Sequence, residues 1–179
     1  MDKTRIQQLG KYLLEAQEQR REVPKLTNEY PDLTVEEAYE IQDVIVQAKL
    51  DQGLRIVGPK MGLTSQAKIK QMNVNEPIYG YVFDNMVESG SEISLSKYIH
   101  PKVEAEIAFI LGRDIEGPGI TGAQVLAATE YVIPALEIID SRIADWKITL
   151  ADTIADNASS GGVVLGTRPT VYDEGSANG

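Results

Sequence analysis

Apolar residues recur at spacings of three and four through Ile6, Leu9, Leu13 and Leu14, tracing one stripe of an amphipathic helix over residues 3–21 whose other face is charged and solvated. A connector carrying Pro24 and Pro31 separates this helix from a second periodic run. There Thr34 stands three residues before Glu37, the spacing at which each side chain reaches the other residue's backbone N–H. Ala38, Ile41, Val44, Ile45 and Ala48 then line one side, and Gly53 provides the stop. Residues 1–53 are therefore expected to form a helical cap rather than the seat of chemistry.

From Leu54 the pattern changes to short alternating or continuous apolar runs punctuated by glycine and polar residues. Residues 54–65 read as a strand and a glycine-rich turn, with Thr64 or Ser65 capping a short helix over 65–72. Further strands are expected at 78–83, 92–95, 103–111, 131–139 and 162–165, interrupted by one helix announced by the Thr121 and Gln124 capping box. The chain thus reads as an α+β fold, with the helical N-terminal cap on a mostly antiparallel or mixed β body over 54–179.

Composition narrows the chemistry. The 179 residues, 42% of them hydrophobic, suffice for one sizeable core. Against 17 Lys+Arg stand 27 Asp+Glu, a net charge of −10, and so acidic a surface repels a phosphate backbone; nucleic acid is not expected as a partner. The absence of cysteine excludes disulfides, Cys-zinc sites, iron–sulfur clusters and a thiol nucleophile, and the single histidine, His100, excludes a multi-histidine metal site. With no apolar run of about 18 residues and no leader-like start, a soluble cytoplasmic protein with no membrane partner is expected.

Metal or acid–base chemistry must therefore rest mainly on carboxylates, lysine and hydroxyls. In the segment HPKVEAEIAFILG (100–112), Glu104 and Glu106 share one face of a strand, about 6–7 Å apart along it. Either that face is simply wet, or a cation such as Mg²⁺, Mn²⁺ or Ca²⁺ sits between the two carboxylates. Glu137 lies inside a second apolar run, YVIPALEIIDSR (131–142), a poor place for an unpaired carboxylate, and would complete a three-carboxylate open site. Asp140 competes for that role, although Ser141 and Arg142 beside it suggest a turn-stabilising or ion-paired aspartate. Lys60, between a strand and a glycine turn, is either a surface residue or a cation aimed into a cleft. His100, before a proline, reads as a rim or packing residue, and Trp146 and residues 109–111 read as core. Gly58, Gly62 and Gly80 make no phosphate loop.

The succession KMGLTS (60–65), EPIYG (76–80), HPKVEAEIAF (100–109), VIPALEIIDSRIADW (132–146) and ADNASS (155–160) resembles the fumarylacetoacetate hydrolase superfamily. Within it the chain looks like the branch of 2-oxopent-4-enoate hydratases and 4-oxalocrotonate decarboxylases of meta-cleavage aromatic degradation, from near the N-terminus to about Gly166. The resemblance implies a β-sandwich-like body, a Mg²⁺ or Mn²⁺ ion held by Glu104, Glu106 and Glu137, and a Lys60 that contacts substrate. Family hydratases commonly carry an aspartate where this chain has Ile78, and an isoleucine neither activates water nor shuttles a proton. KMGLTS, PIYG, HPK and ADNASS look more like the decarboxylases, while ALEIIDSRIADW resembles the hydratases at least as closely.

The activity this resemblance favours is metal-dependent decarboxylation of a 2-oxo-3-enedioate, such as 2-oxo-3-hexenedioate, to 2-hydroxypenta-2,4-dienoate and CO₂. Hydration of 2-hydroxypenta-2,4-dienoate, a noncatalytic role beside a hydratase, and acylpyruvate-type C–C hydrolysis are the alternatives. Expected partners are the 2-oxo acid substrate, a paralogous hydratase and, for a full-length chain, further copies of itself. Relatives in this family run longer than this chain, and TRPTVYDEGSANG (167–179) closes neither a strand nor a helix, so a C-terminally truncated form is expected.

Overall fold

The computed structural model describes residues 1–64, 77–88 and 92–171. Helix α1 (Lys3–Gln19) starts where the Asp2 carboxylate accepts from the Arg5 N–H and ends at Arg20, which turns left-handed at φ 52°. Helix α2 (Val35–Asp51) opens on the Thr34–Glu37 capping box, both reciprocal bonds of which are present. The stripe residues Ile6, Leu9 and Leu13 are buried against Ala38, Ile41 and Ile45. Gly10 lets the helices close: a Cβ there would lie 2.5 Å from that of Val44.

This apolar cluster continues past residue 53, taking in Leu26, Leu33, Ile78, Ile143, Ile154 and Ala158. Gln42, fully buried on α2, donates from Nε2 to the carbonyls of Tyr79 and Ile154, so the helical segment and the β body are joined by hydrogen bonds as well as apolar contact.

Two sheets carry the rest. Strands β1 (Ile56–Gly62) and β2 (Ile78–Phe83) form an antiparallel ribbon that places Lys60 opposite Gly80 and Gly62 opposite Ile78. The larger sheet has the order β3 (Val87–Glu88), β6 (Ser160–Leu165), β5 (Thr129–Ile139), β4 (Lys102–Leu111), with β7 (Thr170–Val171) also on β5. Pairing is antiparallel except between β3 and β6, so the sheet is mixed and the α+β class agrees with the sequence reading. Helix α3 (Gly122–Ala128) starts on the Thr121–Gln124 box, and α4 (Leu150–Ala155) on a Thr149–Asp152 box that the strand-based reading passed over. No described helix is long and apolar enough to cross a membrane.

Three local expectations are corrected. Residues 92–95 form no strand: a 3₁₀ turn occupies Leu95–Lys97, and the pairing segment lies earlier, at β3, where Lys97 meets Glu88 at 2.8 Å. Phe109 and Leu111 are not core but 49% and 44% exposed, since they share the outward face of β4 with Val103 and Ile107. Trp146 is only half-buried, its ring tilted by 32° against that of His100 at 5.2 Å between centroids. The helix expected over 65–72 lies outside the described residues apart from its candidate cap Thr64.

Candidate metal centre

The β4–β5 register sets Glu104 directly opposite Glu137, and the two-residue period of β4 puts Glu106 on the same face. Each of the three offers a carboxylate oxygen, and these oxygens lie within 4.8 Å of one another. Glu137 is 8% exposed, Glu104 half-buried and Glu106 exposed, a gradient from an anchored ligand to an open side. Hard, anionic oxygen donors at this separation are what Mg²⁺, Mn²⁺ or Ca²⁺ prefer, so the residues fit such a cation.

Lys60 arrives from the other sheet. Its Nζ lies 2.9 Å from Glu137 Oε1 and donates to the Ala158 carbonyl at 3.0 Å. Burial pushes the Glu137 carboxyl above the usual carboxylate range; Lys60 opposes that shift, while Glu104 and Glu106 add to it. Among the described residues, three carboxylates gather beside the Lys60 ammonium, a set of anionic oxygens suited to a divalent cation.

The carbonyl that receives Lys60 sits in a turn within the ADNASS segment (155–160), to which the sequence reading gave no conformation and no role. Asn157, Ala158 and Ser159 follow one another at φ 51°, 50° and 54°, three non-glycine residues in the left-handed region. The turn is held from several sides. Asn157 Oδ1 accepts from Tyr81 N at 2.8 Å while its Nδ2 donates to Tyr81 O at 2.9 Å. The Asp140 N–H donates to Ser159 O. Fully buried Asp156 receives the Arg142 guanidinium and backbone N–H and the Ser141 hydroxyl. Burial pushes the Asp156 carboxyl up, and Arg142 opposes the shift. The hydroxyls of Ser159 and Ser160 are buried with no hydrogen-bond partner among the described residues. The available signal for this turn was an asparagine, the non-glycine residue most at ease in left-handed backbone, within a run of small polar residues.

Asp140, the competing ligand candidate, is not in the carboxylate cluster. It is buried and accepts from the backbone N–H groups of Ile99 and His100 at 2.9–3.1 Å, so it anchors the loop that leads into β4. Its carboxylate is not the ion partner of Arg142 either: Arg142 Nη1 donates to the backbone carbonyls of Asp140 and Ser160. His100 plays the packing role expected of it: Nδ1 meets Glu22 Oε1 at 2.6 Å, and its carbonyl accepts from the indole of Trp146. Ile78 lies on the Lys60 face of the ribbon, one pair further along, with its side chain buried in the main apolar cluster.

No family model matches the chain. It is 50% identical over 170 residues to a 2-hydroxypent-2,4-dienoate hydratase of Pseudomonas putida, covering 94% of this chain and 77% of that protein. To a 4-oxalocrotonate decarboxylase of Pseudomonas sp. (strain CF600) it is 46% identical over 159 residues, covering 88% of this chain and 60% of the relative. Among solved structures, a 4-oxalocrotonate decarboxylase from Pseudomonas putida G7, complexed with magnesium and adipate, superposes with a TM-score of 0.90 at 39% identity. That match covers 96% of this chain and 65% of the neighbour. A second structure of the decarboxylase from that source, complexed with calcium and acetate, gives 0.88 at 38% identity.

Proposed function

The chain belongs to the family of 2-hydroxypentadienoate hydratases and 4-oxalocrotonate decarboxylases, a branch of the fumarylacetoacetate hydrolase superfamily, and from that membership we propose that it is a divalent-metal-dependent lyase that decarboxylates a 2-oxo-3-enedioate. The observation that carries the reading is the convergence of Glu104, Glu106 and Glu137 within 4.8 Å, with Lys60 against Glu137. Glu104, Glu106 and Glu137 would hold Mg²⁺ or Mn²⁺. Bound there, the cation would supply Lewis acidity to the 1-carboxylate and 2-oxo oxygens of the substrate.

With 2-oxo-3-hexenedioate, the C5–C6 bond breaks and C6 leaves as CO₂. The bonding pair passes through C4 and C3 into the 2-oxo oxygen, and protonation there gives 2-hydroxypenta-2,4-dienoate. The residues' part is to hold positive charge beside that oxygen, the role proposed for Lys60 Nζ, which also carries protons to deliver. No added water has to be activated, which suits Ile78: it stands on the face of the ribbon that carries Lys60 and has no titratable atom. The adipate of the neighbouring structure has the six-carbon dicarboxylate skeleton of this substrate.

A second reading, hydration of 2-hydroxypenta-2,4-dienoate, is favoured by the 50% identity to a hydratase. Offering purified protein each compound with Mg²⁺ separates the two. CO₂ release from 2-oxo-3-hexenedioate without turnover of 2-hydroxypenta-2,4-dienoate supports decarboxylation, and the opposite pattern supports hydration. Turnover of neither, with retained binding to a paralogous hydratase, supports the noncatalytic role.

A further inference from the structure

We propose that Asn157 is a positioning residue: its side-chain amide locks the outer edge of β2 and the left-handed turn together, and thereby sets the Lys60 ammonium against Glu137. The proposal rests on the reading of Lys60 as a substrate-facing cation.

The β1–β2 ribbon is a two-stranded sheet, an arrangement that is marginal alone, and β2 has one edge that no strand covers among the described residues. Side chains cover it instead. The Tyr79 N–H donates to the Tyr39 hydroxyl, the Tyr79 carbonyl accepts from Gln42, and Tyr81 exchanges both of its backbone bonds with Asn157. Tyr81 stands opposite Pro59 on β1, and its N–H and C=O both point away from β1, where the Asn157 amide satisfies them.

The same residue is tied to Lys60 in two further ways. Gly80, directly opposite Lys60, has no Cβ, and one placed there would lie 2.5 Å from the Asn157 carbonyl oxygen; the turn and the ribbon are in contact at this pair. Ala158, the next residue, presents its carbonyl to Lys60 Nζ at 3.0 Å only because the backbone is left-handed there. Backbone held in this region at three consecutive non-glycine residues persists only where its surroundings enforce it, and strain of that kind concentrates at functional sites. Asn157 enforces it from the ribbon side, as Asp156 and Arg142 do from the interior.

Asn157→Gly tests this, because glycine accepts the left-handed backbone while removing the amide. Three readouts are taken with Mg²⁺ present: acetylation of Lys60 by acetic anhydride, followed by peptide mass mapping; Mg²⁺ affinity by calorimetry; and steady-state turnover of 2-oxo-3-hexenedioate. Lys60 acetylation should accelerate at least about fivefold and kcat fall about 10- to 100-fold, with KM and Mg²⁺ affinity changed less than about threefold, as expected for a misplaced rather than a missing group. Asn157→Asp, which keeps the acceptor for Tyr81 N–H but sets an oxygen against Tyr81 O, should move acetylation in the same direction. An unchanged acetylation rate in both variants overturns the proposal, as does a loss of Mg²⁺ binding in both, which would make Asn157 a support of the whole sheet. If wild-type protein turns over neither candidate substrate, the functional reading fails while the acetylation result still decides the role of Asn157.

Discussion

Two largely buried pairs of opposite charge meet the chain at residues 156–158 and are built on different plans. In one, Asp156 accepts from Arg142 Nε, from the Arg142 N–H at 2.9 Å and from the Ser141 hydroxyl at 3.2 Å. The rest of that guanidinium donates to the carbonyls of Asp140, Ser160 and Asp156. In the other, the Lys60 ammonium meets one Glu137 oxygen and one carbonyl, and Glu137 faces two more carboxylates. The first pair is saturated by protein and holds the ends of β5 and α4 together. The second gathers three carboxylates around the Lys60 ammonium, an arrangement that the proposed divalent cation would complete. A guanidinium whose nitrogens all donate to protein marks the scaffold, and a cluster of convergent carboxylates marks a candidate ligand site.

The largest effect should come from breaking the saturated pair. Arg142→Ala strands Asp156 in the interior and should cost about 3–5 kcal/mol, read as a large fall in Tm or failure to fold, with Mg²⁺ restoring little. Lys60→Ala should do the reverse, reducing turnover about 10²- to 10⁴-fold while Mg²⁺ affinity changes little and the fold persists. A wild-type rate in that variant would remove Lys60 from the chemistry.

A third buried cation sharpens the contrast. Lys49, 5% exposed, stands over the Phe83 ring at 5.0 Å, and burial lowers its pKa from 10.5 to about 8. Because the folded state holds the Lys49 proton less tightly than the unfolded chain, the penalty is fully present below about pH 8 and is relieved as pH rises towards 10.5. Lys49→Met should therefore stabilise the protein by about 1–2 kcal/mol at pH 7, the lost contact with the ring offsetting part of the gain, and the advantage should shrink in melts near pH 10. An equal advantage at both pH values would show that Lys49 is not held at a charge penalty.

Much of this was legible because local rules decided it. The Thr34–Glu37 and Thr121–Gln124 boxes mark helix starts by spacing alone, and the two-residue period of a strand is enough to put Glu104 and Glu106 on one face. That Glu137 lies opposite Glu104 depends on strand register, which no single segment records; its apolar flanks raised it as a third ligand, and the resemblance favoured the trio over the alternatives. Burial on β4 runs against the usual expectation, with Val103 and Ile107 each 62% exposed on the apolar face. An alternating pattern says which residues share a face but not which face turns inward. Asp140 and Arg142 look like neighbours in sequence, yet Arg142 pairs with Asp156, fourteen residues on, because α4 carries the chain back to the end of β5. A left-handed turn of three non-glycine residues has almost no sequence signature, so the clamp on Lys60 emerged only from coordinates.

The central claim is that Glu104, Glu106 and Glu137 form one divalent-cation site, and the most direct measurement is a calorimetric titration of Mg²⁺ into the wild-type chain and into Glu106→Gln. Glu106 is the exposed member of the three, so its neutral isostere removes a ligand charge with little disturbance of the sheet. The account predicts one Mg²⁺ per chain for wild type and a loss of affinity of at least about tenfold in the variant, with an unchanged far-ultraviolet circular dichroism spectrum. Equal Mg²⁺ affinity in the two proteins, or none in either, would contradict it.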